Sequence, residues 1–240
     1  MSPTMKNVFT AGLAILAAAD AATTKSKGKQ PAPGSNTQSF LINYNFETYP
    51  RSVTSQVPVS ATVIGDYDLL NFNTVLVNQT QPPVAGVACH TAPTCTVVTL
   101  ANNLLSSLLA PGQSTNGLTG PQRVTSKYQY SPISYFDPYA FYYGCVVADA
   151  NGAASLPANC DITVTGQQNG KTIYSQKFSY KATGAVLQQM SLGFFDQGWQ
   201  GLKVDTLNFA VSNNATTAAL IDNLVASVFG PQNAAVLVDF

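Results

Sequence analysis

Asp161–Tyr180 reads DITVTGQQNGKTIYSQKFSY, and this stretch decides the fold class. Ile162 and Val164 alternate with polar neighbours over Asp161–Thr165, the period-two pattern of a half-buried strand. Gly166-Gln167-Gln168-Asn169-Gly170 follows as a hairpin connection, with Asn and Gly where positive φ is cheap. Lys171–Tyr180 returns as the partner strand. Outward from this hairpin the same grammar repeats. Phe40–Phe46 puts Phe40, Ile42, Tyr44 and Phe46 on one face. Leu69–Val77, Thr96–Leu100, Val124–Tyr130 and Ala140–Val147 precede the hairpin. Val186–Leu192, Leu202–Val211 and Ala218–Phe229 follow it, rich in β-branched and aromatic residues. Only Ala101–Ala110 has helical spacing, with Leu104, Leu105, Leu108 and Leu109 on one side. The prediction is an all-β, jelly-roll-like antiparallel β-sandwich with one short helix in a crossover.

The beginning of the chain has a different character. Lys6 precedes an uncharged, mostly apolar run, and Ala19-Asp20-Ala21 is a small-x-small cleavage site, so residues 1–21 read as a secretory signal peptide. The run is too short to cross a bilayer core of roughly 30 Å. Residues 22–38, with Lys25, Lys27, Lys29, Pro31 and Pro33 and no large apolar side chain, read as a disordered leader. Residues 39–240 show one composition regime and are expected to form one domain. The expected location is extracellular or at the cell wall, and no membrane span is expected. The chain's end lacks the spacer and long apolar tail of a lipid-anchor signal.

Charge excludes one class of partner. Lys and Arg total 11, Asp and Glu total 11, and only 9% of residues are charged. A balanced, weakly charged chain has no basic face with which to displace counterions from nucleic acid. The four cysteines form two local pairs, and an oxidising compartment favours Cys89–Cys95 and Cys145–Cys160 over free thiols or a zinc site. Asn78-Gln79-Thr80 and Asn214-Ala215-Thr216 are glycosylation sequons at Asn78 and Asn214.

Several segments resemble those of a widespread group of uncharacterised secreted proteins, common in filamentous fungi, with a galactose-binding-like jelly roll. Asn45-Phe46-Glu47 is similar to their opening motif, and Tyr67–Phe72 (YDLLNF) to the aromatic segment after it. Phe136–Cys145 (FDPYAFYYGC) resembles the central strand. The hairpin around Gly166 and Gly170 resembles the next pair. Gly201–Phe209 (GLKVDTLNF) and Ile221–Leu224 (IDNL) resemble the closing strands. This likeness covers most of residues 40–229 and implies a sandwich of the kind found in carbohydrate-binding modules. It implies no catalytic residue.

The chemistry-bearing residues are few. The segment after the signal peptide holds one glutamate, Glu47, and one histidine, His90. His90 lies between two expected half-cystines, and no G-x-S-x-G elbow is present, so a serine triad has no support. Asp66 and Asp68 are the only close carboxylate pair, and they read more simply as a polar turn than as a glycosidase pair. Glu47 ends the first strand and Asp222 lies in the last. If those strands are neighbours, the two carboxylates are candidate ligands for a structural calcium ion. No other cofactor is expected.

A sugar site needs an aromatic platform beside polar groups. Trp199 is expected at a loop tip between Gly198 and Gly201, with Asp196 and Gln200 to meet hydroxyls. Tyr135, Tyr139 and Tyr142 form a second aromatic group, of which Tyr139 and Tyr142 are the candidate ligand contacts. The expected function is therefore non-catalytic recognition of an extracellular or cell-wall glycan. The alternatives are a secreted effector or wall protein with a protein partner, and an Asp-dependent polysaccharide hydrolase or lyase.

Overall fold

The computed structural model describes residues 37–47, 62–78, 86–99, 122–147, 156–212 and 217–231. The signal peptide, nearly all of the leader, the expected helix at Ala101–Ala110 and the Asn214 sequon lie outside them. The last two residues assigned to the leader, Thr37 and Gln38, are already strand. In chain order the strands are β1 (Thr37–Tyr44), β2 (Thr62–Tyr67), β3 (Leu70–Asn78), β4 (Gly86–Ala88), β5 (Thr94–Thr99), β6 (Arg123–Thr125) and β7 (Tyr135–Val147). They continue as β8 (Leu156–Pro157), β9 (Cys160–Gln168), β10 (Lys171–Tyr180), β11 (Leu187–Gln189), β12 (Ser191–Phe194), β13 (Thr206–Ser212) and β14 (Thr217–Pro231). A short 3-10 turn, Gln197–Trp199, follows β12, and the described residues contain no α-helix. The all-β sandwich expected from the sequence is what forms.

The main sheet runs β10-β9-β13-β6-β3-β5-β14-β7-β12, with β1 on β14, β2 on β3 and β8 on β7. Its pairs are antiparallel, and the single parallel pair among the described residues is β11 with β4. Strand β3 makes the corner: Asn71–Asn73 pair with β6, whereas Val75–Asn78 pair with β5. The sheet thereby folds over itself, and the inner faces of its two halves meet. Phe141 of β7 lies 4.8 Å from Phe178 of β10 and 6.1 Å from Phe209 of β13. Tyr143 lies 5.8 Å from Phe178. These edge-on aromatic contacts fill the space between layers at the geometry such rings prefer. Gly193 faces Phe178 and Tyr143 closely enough that any side chain would displace them.

The free edges of β12 and β10 approach each other, and a side chain joins them. Gln176 donates from Nε2 to the Phe194 carbonyl (2.9 Å) and accepts from the Asp196 amide (3.0 Å). One glutamine amide thus stands in for a rung of the ladder and satisfies an otherwise bare edge. Both expected disulfides form, Cys89–Cys95 and Cys145–Cys160. The second ties β7 to β9, one strand from each layer.

The hairpin differs in detail from its sequence reading. Strand β9 continues through Gly166 to Gln168, and the connection is only Asn169–Gly170, both with positive φ (51° and 75°). A two-residue turn of this hand matches the twist of the flanking strands. The expected strand Val186–Leu192 is divided into β11 and β12. Residues from Leu202 to Asp205 precede β13 and touch β7 through one bridge, Phe136 with Val204. Val124–Tyr130 leaves its ladder after Thr125.

Candidate functional site

Trp199 is not at an exposed tip. The residue is 0% exposed, with Phe195 at 4.8 Å and Tyr174 at 5.3 Å between ring centroids. Its six-membered ring lies against Gly166, where a Cβ would sit 2.6 Å from Cζ3. The glycines flanking Trp199 are turn residues, but the ring between them is turned inward. Asp196 is occupied locally: Oδ1 accepts from the Gly198 amide (2.9 Å) and Oδ2 from the Tyr174 hydroxyl (3.2 Å). It caps the 3-10 turn, as Asp does at such positions. Gln200 is exposed at the other end of that turn. Burial of Trp199 is a correction to its expected role as a sugar platform.

The exposed ring is its near neighbour Phe194, 63% exposed. The doublet Phe194-Phe195 holds the signal. In an extended segment consecutive residues point opposite ways, so once Phe195 packs on Trp199, Phe194 must face outward. Phe194 pairs with Ala140 and Leu192 with Tyr142 across the β12–β7 ladder. Directly opposed residues share a face, which puts Phe194, Leu192 and Tyr142 together on the outer side. His90 stacks on Tyr142 with centroids 3.4 Å apart and planes 9° from parallel. Burial holds the His90 imidazole below its ordinary pKa, so it lies on Tyr142 as a neutral ring at pH 7.

The same face continues onto β14 and β1. Ala140 opposes Val225, which opposes Asn43. Asp137 opposes Ser227, which opposes Leu41, 59% exposed. Tyr135 opposes Phe229, and their rings stack at 4.7 Å. Two irregularities lie within this face. Register shifts on either side of Val225 leave extra residues at Asn223 on β14 and Tyr139 on β7. Asn223 has φ 48°, and Tyr139 is 39% exposed. Bulges re-aim side chains and concentrate near functional surfaces. Tyr139 and Tyr142, both expected at a site, therefore share this region with Phe194.

The opposite outer face has another composition. One row across β10, β9, β13, β6 and β3 reads Ser175, Thr165, Asn208, Arg123 and Asn73. This is the ordinary polar exterior of a sandwich sheet.

Glu47 and Asp222 meet the same disulfide-closed loop from its two ends. Glu47 Oε1 accepts from the Thr94 amide (2.9 Å) and hydroxyl (2.6 Å). Asp222 Oδ2 accepts from the Thr91 amide (2.8 Å), and Oδ1 from the Asn223 amide (2.8 Å). Asp222 is 0% exposed, and its pKa is pushed up to about 7. Burial is the main cause and the nearby Glu47 charge adds to it, against the lowering effect of amides from Thr91, Asn223 and His90. Beyond this pair, no group of three or more His, Cys, Asp or Glu among the described residues is placed to hold a metal ion.

The remaining candidates fall elsewhere. Asp66 Oδ1 accepts from Asn71 Nδ2 (2.6 Å), and Asp68 occupies the β2–β3 turn with φ 43°. Asn78 ends β3 opposite Thr94. Among the described residues no helix is long and apolar enough to cross a membrane.

No family model matches the chain, and no curated protein matches it. Among solved structures it is similar to the crystal structure of a DUF4465 family protein from Bacteroides caccae, with a TM-score of 0.45 and 11% identity over 78% of this chain and 98% of that one.

Proposed function

We propose that the protein is a secreted, non-catalytic recognition protein that binds an extracellular or cell-wall glycan on the outer face of β1, β14, β7 and β12. One observation carries the reading: the two outer faces of the sandwich differ in kind. One is polar, as solvent requires. The other presents Phe194 and Leu41 to solvent beside Tyr139, Val225 and the His90–Tyr142 stack. Exposed large apolar side chains gathered on one face of a domain mark an interaction surface. Aromatic rings interleaved with Asn43, Ser227 and Asp137 suit the apolar faces and hydroxyl edges of sugars.

The test is pull-down with insoluble chitin and glucans and binding to a glycan array. Phe194→Ala is expected to lower binding by about tenfold or more, the value of one good ring contact. Its melting temperature should stay close to the wild type, because the ring is mostly exposed. Unchanged binding in Phe194→Ala removes this face from the reading. The exposed aliphatic chains Leu41 and Leu192 favour the second reading, a protein partner. Absence of glycan binding with retained capture of a defined wall or host surface protein would select it.

Calcium is the metal component of the proposal. Glu47 and Asp222 hold one disulfide-closed loop from its two ends, and the Glu47 charge acts on Asp222, a repulsion that a cation between them would remove. A calcium ion held between them would stabilise the native state by mass action, about 2.7 kcal/mol at 100-fold excess over Kd. Excess chelator is then expected to lower the melting temperature, and Asp222→Ala to abolish that response. An unchanged melting curve in chelator removes calcium from the proposal.

A further inference from the structure

We propose that the face formed by β1, β14, β7 and β12 takes an extended, uncharged oligosaccharide lying along β7, not a single terminal sugar. This rests on the glycan reading above and adds length, direction and charge class to it.

Length follows from the spacing of the aromatic groups. The Tyr135–Phe229 pair stands at one end of β7, and the Tyr142–His90 pair stands toward the other. Phe194 lies between them, opposite Ala140. Tyr135 and Tyr142 are seven positions apart in one strand (142 − 135), and the bulge at Tyr139 removes one of those steps. At about 3.3 Å per residue the aromatic groups therefore span roughly 20 Å. A monosaccharide covers one ring and leaves the others bare. A chain of several sugars reaches all three.

Direction follows from what separates the rings. The row Leu41–Ser227–Asp137 lies between the Tyr135–Phe229 row and the Asn43–Val225–Ala140–Phe194 row. Passing along β7, a ligand meets aromatic, polar and aromatic groups in turn, the order that sugar faces and hydroxyls can match. The Asp137 carboxyl is half-buried, and its Oδ1 has no hydrogen-bond partner. That oxygen is itself buried, so within this row the polar group left for a ligand hydroxyl is Ser227.

Charge complementarity gives the class. Apart from the buried Asp222 and the disulfide loop with Glu47 that covers it, the ionisable groups that the described residues place on this face are opposite and adjacent. Lys203 Nζ lies 5.4 Å from the centroid of Tyr135, and its charge acts on Asp137. Together they are neutral. A polyanion meets Asp137 in the middle row, and a polycation meets Lys203 at the end. An uncharged, hydroxylated chain meets neither penalty.

The experiment is calorimetric titration with β-1,4-glucose, β-1,3-glucose and β-1,4-N-acetylglucosamine oligosaccharides of increasing length, and with polygalacturonate as the acidic probe. In one neutral series the affinity is expected to rise about tenfold or more between the disaccharide and the longest member, as further rings are engaged. Polygalacturonate should not bind. Tyr135→Leu and Tyr142→Leu keep apolar volume, and each should reduce the gain in affinity between the disaccharide and the longest member. Affinity already complete at the mono- or disaccharide overturns the extended-chain inference and leaves the glycan reading standing. Tight binding of polygalacturonate overturns the uncharged class. Failure of every oligosaccharide and insoluble polysaccharide to bind overturns the glycan reading itself. The length series uses the wild-type protein, so its outcome does not depend on how the variants fold.

Discussion

Trp199→Ala lowers the stability of the protein by about 3 to 5 kcal/mol, the range for removing a large aromatic from a packed core. The ring is fully buried. It fills the space above Gly166 and is held edge-on by Phe195 and Tyr174. Gly166 lies in β9 and Tyr174 in β10, whereas Phe195 follows β12. The cavity would open where the two sheet edges come together, and rigid strands on both sides limit its collapse. One term works the other way. Nε1 is buried without a hydrogen-bond partner, so the native state already carries an unsatisfied donor that the variant lacks. This trims the loss without reversing it. In a chain of this size the melting temperature should fall by roughly 10 °C. Urea denaturation read by tyrosine fluorescence or circular dichroism gives the free energy. Loss of glycan binding with unchanged stability would return Trp199 to a surface role. Gly166→Val attacks the same contact from the other side and should destabilise by overpacking.

The contrast between Trp199 and Phe194 shows what is legible in the sequence. Alternation across Phe40–Tyr44 and Ile162–Val164 identifies inward faces, because burial on one side of a strand imposes period two whatever the ligand is. The cysteine pairs are legible because short separations leave few alternatives. Trp199 is not, because glycine neighbours report backbone freedom and say nothing about which way a side chain turns. Its direction depends on the gap over Gly166, made by residues more than thirty positions away (199 − 166). The recognition face is half legible. Tyr135, Tyr139 and Tyr142 stand out in the sequence, but Phe194, Leu41 and Phe229 join them only through the β1–β14–β7–β12 register. That register is non-local and is shifted by the bulges at Asn223 and Tyr139. Likewise, strand order predicts that Glu47 and Asp222 approach each other, but the placement of the Cys89–Cys95 loop so that both accept from its amides has no local signature.

Asp222 gives the protein a stability that falls as the medium turns from acidic to neutral. Its folded-state pKa is raised from 3.8 to about 7, chiefly by burial and further by the Glu47 charge. The native state therefore keeps a proton between these values that the unfolded chain has lost. By linkage, the contribution is fully present below the unfolded pKa and disappears as pH rises through the folded one. At about 1.4 kcal/mol per pH unit, the loss from pH 4 to pH 8 is on the order of 4 kcal/mol. The groups facing the carboxyl are Glu47, the amides of His90, Thr91 and Asn223, and Tyr142 across the ladder. Asp68 and Asp137 are also raised by burial and add slope of the same sign. Asp161, lowered by its hydrogen bonds from Lys177 and Ser179, works in the opposite direction at the solvated surface. The test is therefore a difference: Asp222→Asn against wild type, urea denaturation at intervals from pH 4 to pH 8, with chelator present to exclude a calcium contribution. The wild type should lose several kcal/mol more than the variant across this range, most of it before pH 7. Parallel profiles would mean that the carboxyl is ionised throughout, so that its three amide donors outweigh its burial.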